Sequence, residues 1–366
     1  MRHIDEYRDP EHVSKLAAAI HELNPPPMTI MEVCGTHTMA IARFGIRQLL
    51  PPQIRLISGP GCPVCVTPQS DIDAFIELAS RPDVTAATFG DMLRVPGSRS
   101  SLEAERAHGA DVRIVYSPTD ALETARRNPT RETVFFGVGF ETTTPGVALT
   151  IAAAARERIT NFSVYCAHKT IPAALEALLS GDAPAIDGFL LPGHVSTIIG
   201  SRAYEQVARD FGAACVVSGF EPTDILQSIL MLVRQIKEGR AEVENQYRRV
   251  VTENGNSAAQ QAVAAVFEPC DAAWRGIGLI PGSGLKIRQD YVAYDARIRF
   301  GIAEEVHSGE PEGCLCGEIL KGRSRPSDCP LFGSACTPAE PVGPCMVSSE
   351  GACAAWYRYG GDYDHA

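Results

Sequence analysis

Short apolar runs alternate along this chain with longer stretches in which apolar residues recur every three or four positions. Each run ends in a loop that contains Gly, Pro, His or Cys. Continuous apolar strands that alternate with helices are typical of parallel sheets covered by helices on both faces. The pattern therefore predicts an α/β fold. Its eight predicted strands are residues 29–33, 54–57, 84–89, 112–116, 134–138, 162–166, 188–191 and 214–217.

The predicted strands divide into two sets of four, with a break near residues 126–131. This count predicts two similar α/β domains, residues 28–128 and 129–269, that face one another. A helix over residues 12–23 and a proline-rich linker precede them, within residues 1–27. The other helices are clearest at residues 71–79, 146–157, 197–211 and 223–238.

The last part of the chain, residues 270–366, has a different composition. A turn-rich stretch over residues 276–285 precedes a tail dominated by Cys, Pro and Gly, so we expect an irregular third domain there. Such a segment buries too little apolar surface to fold unaided, which favours an inorganic core. The tail contains six of the twelve cysteines: Cys314, Cys316, Cys329, Cys336, Cys345 and Cys353.

Two kinds of metal site compete for these cysteines. Structural zinc sites usually present paired C-x-x-C motifs, which the tail lacks, whereas 4Fe-4S clusters accept more widely spaced thiolates. The spacing favours a 4Fe-4S cluster over zinc, and a tail of reduced free thiols is a third reading. Cys316 and Cys345 are then left over, although Cys316 is also compatible with the place of Cys314. The predicted cluster ligands are Cys314, Cys329, Cys336 and Cys353.

The charge and the ends of the chain limit its partners and compartment. The formal net charge is −11 over 366 residues, which argues against nucleic acid or an anionic membrane as the main partner. The N-terminus has no apolar core of the signal-peptide type, and no apolar run reaches membrane-spanning length. We therefore expect a cytoplasmic protein, whose cysteines stay reduced. Cys166, Cys215 and Cys270 lie in or beside apolar runs and are predicted to be buried structural thiols.

Cysteines also follow the first two predicted strands. Cys62 and Cys65 form a C-x-x-C motif in a Gly- and Pro-rich segment that predicts a tight, exposed loop. Such a pair can close a disulfide or bind one metal. Cys34 lies between a strand and a helix N-terminus, which predicts a lowered thiol pKa and a metal-binding or nucleophilic role. His37 follows three residues later and is a candidate ligand or proton carrier, or else an ordinary core imidazole.

Three later strand ends have unusual loops as well. Residues 136–143 form a glycine turn before a helix, which favours an anion site, but the third glycine of the dinucleotide fingerprint is missing. His194 and Glu221 follow the seventh and eighth strands. Because ligands bind at the carboxyl ends of parallel strands, these loops are candidates to line one cleft.

Several of these motifs together resemble the HypD family of NiFe-hydrogenase maturation factors. They are Glu-Val-Cys-Gly-Thr-His at 32–37, Gly-Pro-Gly-Cys-Pro-Val-Cys at 59–65, Phe-Gly-Val-Gly-Phe-Glu-Thr-Thr at 136–143, Leu-Pro-Gly-His-Val at 191–195, and the tail sequences at 328–333 and 345–353. They occur in the same order from residue 30 to the end, and none of the motif cysteines is replaced.

The resemblance implies a function that the spacing alone did not indicate. HypD-like proteins act with the small protein HypC as the scaffold on which one iron receives cyanide and carbon monoxide. Cyanide comes through HypE, which HypF charges. By this resemblance Cys34 binds the iron, which it shares with a cysteine of HypC, and His37 assists it. Cys62 and Cys65 are a redox pair, and His194 is a further candidate catalytic residue. The resemblance implies that a 4Fe-4S cluster reduces this pair, with Cys314, Cys329, Cys336 and Cys353 as its ligands.

Two alternatives remain at this stage. The first is a 4Fe-4S protein-disulfide reductase that resembles ferredoxin:thioredoxin reductase, for which Cys34 and the His194 loop would be dispensable. The second is a scaffold with a structural zinc site in the tail and no catalytic role. An iron–sulfur protein is brown and a zinc protein is colourless, so the visible spectrum separates these alternatives.

Overall fold

The computed structural model describes residues 5–181, 185–303 and 311–360. The strands in these ranges are β1 (Met28–Glu32), β2 (Ile54–Ser58), β3 (Val84–Thr88), β4 (Asp111–Ile114), β5 (Glu132–Gly137), β6 (Phe162–Cys166), β7 (Gly188–Pro192), β8 (Ala214–Ser218), β9 (Val243–Asn245), β10 (Phe267–Trp274) and β11 (Gly278–Ile287).

The α-helices in the same ranges are α1 (Pro10–Glu22), α2 (Gly35–Arg43), α3 (Pro63–Val66), α4 (Gln69–Ala79), α5 (Gly90–Leu93), α6 (Leu102–Ala107), α7 (Pro118–Arg127), α8 (Thr144–Glu157), α9 (Ile171–Ser180), α10 (Gly193–Ile199), α11 (Glu205–Phe211), α12 (Pro222–Lys237), α13 (Ser257–Val266), α14 (Ala296–Phe300), α15 (Cys316–Leu320), α16 (Pro344–Val347) and α17 (Ala352–Tyr359). Short 3₁₀ turns occur at Asp5–Tyr7, Ile46–Leu49, Ser201–Tyr204, Gln289–Tyr294 and Pro326–Asp328.

Two parallel sheets form the centre of the molecule and confirm the predicted α/β class. The five-stranded sheet has the order β2-β1-β7-β8-β9, and the four-stranded sheet has the order β4-β3-β5-β6. In each sheet the order reverses once, between β1 and β7 and between β3 and β5. A crevice opens at the carboxyl ends of the strands where the order reverses, and ligands bind there in open α/β sheets. We call these two places the switch points.

The two sheets do not divide the strands between them in sequence order, so the predicted four-and-four division at residues 28–128 and 129–269 is wrong. β1 pairs with both β2 and β7, and the middle four strands form the other sheet. The chain passes to the four-stranded sheet after β2 and returns before β7. Run lengths do not reveal this, because strand pairing depends on contacts between residues far apart in sequence.

A common core joins the two sheets. It takes Met31 from β1 and Phe136 from β5. The preceding residues point the other way, so Ile30 belongs to the outer core of the five-stranded sheet and Phe135 to that of the four-stranded sheet. Because successive strand residues alternate between faces, each sheet is buried on both sides.

Residues 270–303 also differ from the prediction, which placed them with the cysteine-rich tail. β10 and β11 form an antiparallel hairpin, and Phe267 and Ile287 of this hairpin pack into the outer core of the four-stranded sheet. The tail is therefore residues 311–360 within the described chain. The hairpin was missed because its strands contain Gly and Pro, which interrupt an apolar run.

The predicted helix over residues 197–211 is wrong, because it is interrupted at Gly200. This residue has φ of 83°, a conformation that favours glycine, and its amide group packs against the backbone of Gly255. The chain there forms α10, a 3₁₀ turn and α11. None of the helices in the described ranges has the length and apolar character needed to cross a membrane.

Candidate metal and thiol site

Cys34 and His194 meet at the switch point of the five-stranded sheet. Cys34 follows β1 and is the N-cap residue of α2, and His194 lies in the first turn of α10, directly after β7. These strands are neighbours, so their carboxyl ends bring the two side chains together. The distance from Cys34 Sγ to His194 Nδ1 is 3.7 Å. A soft sulfur ligand and an imidazole are thus available at one point.

His37, the other candidate imidazole, is held by the backbone of the next strand end. Its Nε2 lies 2.9 Å from the carbonyl oxygen of Gly219, and its Nδ1 is buried without a hydrogen-bond partner among the described residues. The ring of Phe220 contacts both imidazoles, with centroid distances of 4.8 Å to His37 and 5.3 Å to His194. Burial lowers the pKa of both histidines to about 4, so both rings are neutral at pH 7.

The Cys34 thiol does not have the lowered pKa that its position predicted. Burial raises its pKa above the ordinary range, and the charge of Glu350 adds to this. The N–H groups of His37 and Thr36, at the start of α2, act in the opposite direction but are weaker. Desolvation therefore outweighs the helix dipole at this site. The free thiol is protonated, and binding a metal there requires that it lose the proton.

Two carboxyl groups flank Cys34, of which Glu32 is buried and Glu350 is half-buried. Glu32 accepts hydrogen bonds from the backbone N–H of Cys34 and the hydroxyl of Thr38, at 3.2 and 2.6 Å. Burial raises the pKa of Glu32 to about 7. From the tail, Glu350 accepts a hydrogen bond of 2.7 Å from Thr36. The sequence predicts no role for either glutamate, although both lie within the family motifs at 32–37 and 345–353.

The C-x-x-C segment lies directly against Cys34. The N–H of Gly35 donates to the carbonyl of Gly61 at 3.0 Å, and a Cβ atom on Gly61 would be 2.1 Å from the backbone nitrogen of Cys34. The predicted exposed loop is wrong, since Cys62 is 3% exposed and Cys65 is fully buried. The N–H of Cys65 donates to Cys62 Sγ at 3.3 Å, across the first turn of α3.

Cys316 and Cys345 continue this series of thiols into the tail. Burial raises the pKa of Cys65, and the neighbouring thiols of Cys345 and Cys62 also act on it. The sulfurs of Cys345 and Cys316 are 2.8 Å apart, and Cys314 lines the same cavity as these two thiols. We call Cys62, Cys65, Cys345 and Cys316 the thiol series. Spacing alone left Cys316 and Cys345 without a role, because only the fold brings them between the other cysteines.

The thiol series ends at a cavity that the tail cysteines line. The four predicted cluster ligands and the pair Cys316 and Cys345 all face this cavity. Burial raises the pKa of Cys353, and the neighbouring thiols Cys314, Cys336 and Cys329 raise it further. A shared cavity with several convergent thiols has the donor chemistry that an iron–sulfur cluster requires.

A site for a single metal ion requires ligands that converge on one point, which is a stricter condition than lining a shared cavity. No three His, Cys, Asp or Glu side chains within residues 5–181, 185–303 and 311–360 converge closely enough to hold one metal ion. All twelve cysteines lie in these ranges and are free thiols. A 4Fe-4S cluster is larger than one ion and takes one thiolate at each iron, so its ligands surround a cavity and do not meet at a point.

The tail also connects the two switch points. Ser348 donates to the carboxylate of Asp91, which follows β3, at 2.9 Å, and Glu350 contacts Thr36 after β1. A Cβ atom on Gly35 would be 2.4 Å from the Cβ atom of Glu350. The tail segment 348–350 is thus packed tightly over both strand ends and encloses the Cys34 site.

Two other candidates from the loops occupy different places. Glu141 lies at the switch point of the four-stranded sheet, where it accepts a hydrogen bond from the N–H of Ile171 at 2.9 Å. Burial raises its pKa to about 7. Glu221 instead forms an ion pair with Arg8 at the surface and caps α12. The prediction that Glu221 lines the cleft is therefore wrong.

These features define the class of the protein. It is an α/β protein in which a buried cysteine at a sheet switch point is connected, through a series of thiols, to a cysteine-lined cavity. A family model of HypD, described as "Hydrogenase formation hypA family", matches residues 11–360. The chain belongs to the HypD family of hydrogenase maturation factors.

Similar proteins cover nearly the full chain. The hydrogenase maturation factor HypD of Rhodobacter capsulatus is 52% identical over an alignment of 372 positions that covers 99% of each chain. That of Escherichia coli K12 is 50% identical over 369 positions that cover 98% of each chain. That of Azotobacter vinelandii is 52% identical over 370 positions that cover 98% of this chain and 97% of the relative. The predicted resemblance to HypD is thereby confirmed.

Proposed function

We propose that this protein, with HypC, holds one iron at Cys34 while cyanide and carbon monoxide ligands are attached to it. The observation that carries the proposal is the thiol series, which leads from the cysteine-lined cavity to the loop packed on Cys34. Membership of a family of hydrogenase maturation factors supports the same assignment. The iron is the substrate of this site and leaves it with its ligands.

Cys34 is suited to bind the iron as a thiolate. A thiolate donates electron density to iron(II), which strengthens its bonds to cyanide and carbon monoxide. When the iron binds, the Cys34 thiol loses its proton, and the neutral His194 Nδ1 at 3.7 Å is the nearest base for that proton. Burial excludes water from the site, so competing water ligands are kept away.

The thiol series gives electrons a route to the switch point. Oxidation of the Cys62 and Cys65 thiols to a disulfide releases two electrons and two protons, and reduction reverses this step. Cys345 and Cys316 lie next in the series and can exchange thiol and disulfide with that pair. A 4Fe-4S cluster held by Cys314, Cys329, Cys336 and Cys353 would supply single electrons at the far end.

The proposed partners follow from the family. HypC would share the iron through its own cysteine, and HypE, charged by HypF, would deliver cyanide. The exposed edge of this site is formed by α10 and by the strand end at Phe220, because the tail covers the other side. A partner that reaches Cys34 therefore has to approach past His194, whose exposed fraction is greater than that of His37.

The disulfide-reductase alternative is disfavoured by burial. A reductase of protein disulfides needs an accessible attacking thiolate, but Cys62 is 3% exposed and Cys65 is fully buried. The packing of Gly61 on Cys34 also makes the C-x-x-C segment part of the Cys34 site. These contacts favour a substrate held at Cys34 over a second protein as the electron acceptor.

Infrared spectroscopy on anaerobic protein, co-produced with HypC, tests the proposal. We expect bands of metal-bound cyanide and carbon monoxide, with more iron than a 4Fe-4S cluster contains. Cys34→Ala should lose the bands and keep the sulfide content of the cluster. The matched control is Cys215→Ala, which removes a buried thiol in β8 and should keep the bands. Bands that persist in Cys34→Ala would refute Cys34 as the iron ligand.

A further inference from the structure

A second cavity, of about 570 Å³, lies beside the four-stranded sheet. The chain after β6 runs along one edge of β11, and β10 runs along the other. Lys169 bridges to Gly284, and Gly284 pairs with Cys270 on β10. Residues directly opposite each other in antiparallel strands share a face. Because Gly284 has no side chain, Lys169 and Cys270 face one another across it and line the cavity.

Lys169 is 3% exposed, and its ammonium has no hydrogen-bond acceptor or ion-pair partner among the described residues. Its polar contact is with the face of the Trp274 ring, with Nζ 5.8 Å from the ring centroid. Burial lowers the pKa of Lys169, which means that the charged form is poorly solvated. Buried cations are normally paired with an anion, and the described residues give this lysine no such counterion.

The carboxylates that line the same cavity are already engaged and do not supply that counterion. The charge of Asp71 opposes the lowering of the Lys169 pKa, but Asp71 is paired with Arg297 at 2.5 Å. The other three carboxylates also have partners: Asp295 the N–H of Arg297 at 2.9 Å, Asp271 the N–H of Gly282 at 3.0 Å, and Glu268 the ammonium of Lys286 at 3.1 Å.

We propose that this cavity, which we call the lysine cavity, binds a small organic monocarboxylate with Lys169 as its counterion. One unpaired cation matches one negative charge, and the four nearby carboxylates repel a dianion such as phosphate. The walls include apolar side chains, among them Leu279 and Ala272, which suit the carbon end of the ligand. The volume lies within the usual range for a small-molecule site. This inference does not depend on the iron chemistry at Cys34.

Trp274 provides a direct reporter of binding. The chain contains two tryptophans, so the variant Trp356→Phe leaves Trp274, beside Lys169, as the only one. In this background, sodium acetate and propionate at constant ionic strength should change the fluorescence saturably. Acetamide has the same shape as acetate without the charge and should cause no change. Equal responses to acetate and acetamide would overturn the proposal, as would no response to either carboxylate.

Two lysine variants locate the response. Lys169→Met replaces the buried ammonium with an apolar side chain of similar length and should weaken binding about tenfold or more, as expected for loss of a charged hydrogen bond. Lys286→Met removes a cation that also lines the cavity but is paired with Glu268, and it should bind as the parent does. Undiminished binding by Lys169→Met would overturn the proposal.

Two further measurements keep the test decisive. If Lys169→Met does not fold, Lys169→Arg can replace it, because this variant retains a cation and should retain carboxylate binding. Loss of binding in both folded Lys169→Arg and Lys286→Met would overturn the assignment to Lys169. Sodium phosphate distinguishes the class of anion. Phosphate binding as tight as acetate binding would overturn the monocarboxylate assignment in favour of an inorganic anion.

Discussion

The two switch points occupy equivalent places in their sheets but differ in chemistry. At the five-stranded sheet, Cys34 and His194 meet within 3.7 Å, and the tail adds further thiols. At the four-stranded sheet, Glu141 holds the N–H of Ile171, and no cysteine lies in the loops that follow β3 and β5. The fold thus offers two crevices, and the residues at the strand ends decide which one can bind a soft metal.

The chain segments that pack on each sheet explain much of this difference. The cysteine-rich tail packs over the end of β1 through Thr36 and Glu350, so it delivers thiols to one switch point. The β10–β11 hairpin packs on the four-stranded sheet and forms the lysine cavity with the chain after β6. Chain segments far apart in sequence thus give two similar crevices different side-chain chemistry.

The largest expected effect is on the tail itself. Cys329→Ser should abolish maturation and also remove the sulfide and the brown colour, because Cys329 lines the cavity as a predicted cluster ligand. Cys345→Ser should abolish or strongly reduce maturation but keep the colour, because it interrupts the thiol series between Cys65 and Cys316. Sulfide analysis and visible spectra of both variants check this. Loss of the cluster in Cys345→Ser alone would assign Cys345 to the cluster.

A smaller effect is expected from replacing one histidine beside each sheet and comparing the rates of ligand attachment. His194→Gln removes the base nearest to Cys34 and should slow ligand attachment by about tenfold to hundredfold, the usual range for a proton-transfer group. His168→Gln alters an imidazole buried after β6 and should leave this rate unchanged while lowering the melting temperature. The rate at which the infrared bands appear measures both. Similar slowing in the two variants would contradict a proton-transfer role that belongs to His194 and not to His168.

Glycines at the two switch points should differ in stability. In Gly61→Ala the new Cβ atom would meet the backbone of Cys34 at 2.1 Å, which cannot be relieved by a side-chain movement. We expect it to lower the free energy of unfolding by about 2–4 kcal/mol. Gly90→Ala, after β3, has its nearest neighbour at 3.8 Å and should change little. Denaturant unfolding of both variants checks this, and equal stabilities would contradict the tight packing at Cys34.

The smallest effect concerns the buried carboxyl group of Glu141. Its pKa is raised to about 7 in the folded protein from 4.5, so between these values the folded state binds more protons. Rising pH therefore lowers wild-type stability over this window. Glu141→Gln removes the titration and should gain stability relative to wild type as the pH rises from 4.5 through 7, by at most about 3 kcal/mol. Parallel stability curves for the two proteins would contradict the raised pKa.

Much of the local structure follows from the sequence, as particular elements show. The apolar run at residues 162–166 predicts β6 with the bounds that the structure has, because a buried parallel strand needs an unbroken apolar stretch. The motif cysteines are found at strand ends and in the tail, as expected. The sequence did not reveal the hairpin, whose Gly and Pro residues hide its pattern, or the buried state of Cys62 and Cys65.

The sequence by itself determined the α/β class, the approximate positions of strands β1 to β8 and the family, since these depend on local periodicity and on motifs of adjacent residues. Only the tertiary structure decided that β1 pairs with β7, which brings His194 to Cys34 across 160 residues. It also placed Cys345 and Cys316 between the C-x-x-C pair and the tail cavity, and it buried Lys169 with no counterion in the described part of the chain. These contacts join residues that are distant in sequence, and burial, which sets their pKa values, depends on every segment packed around them.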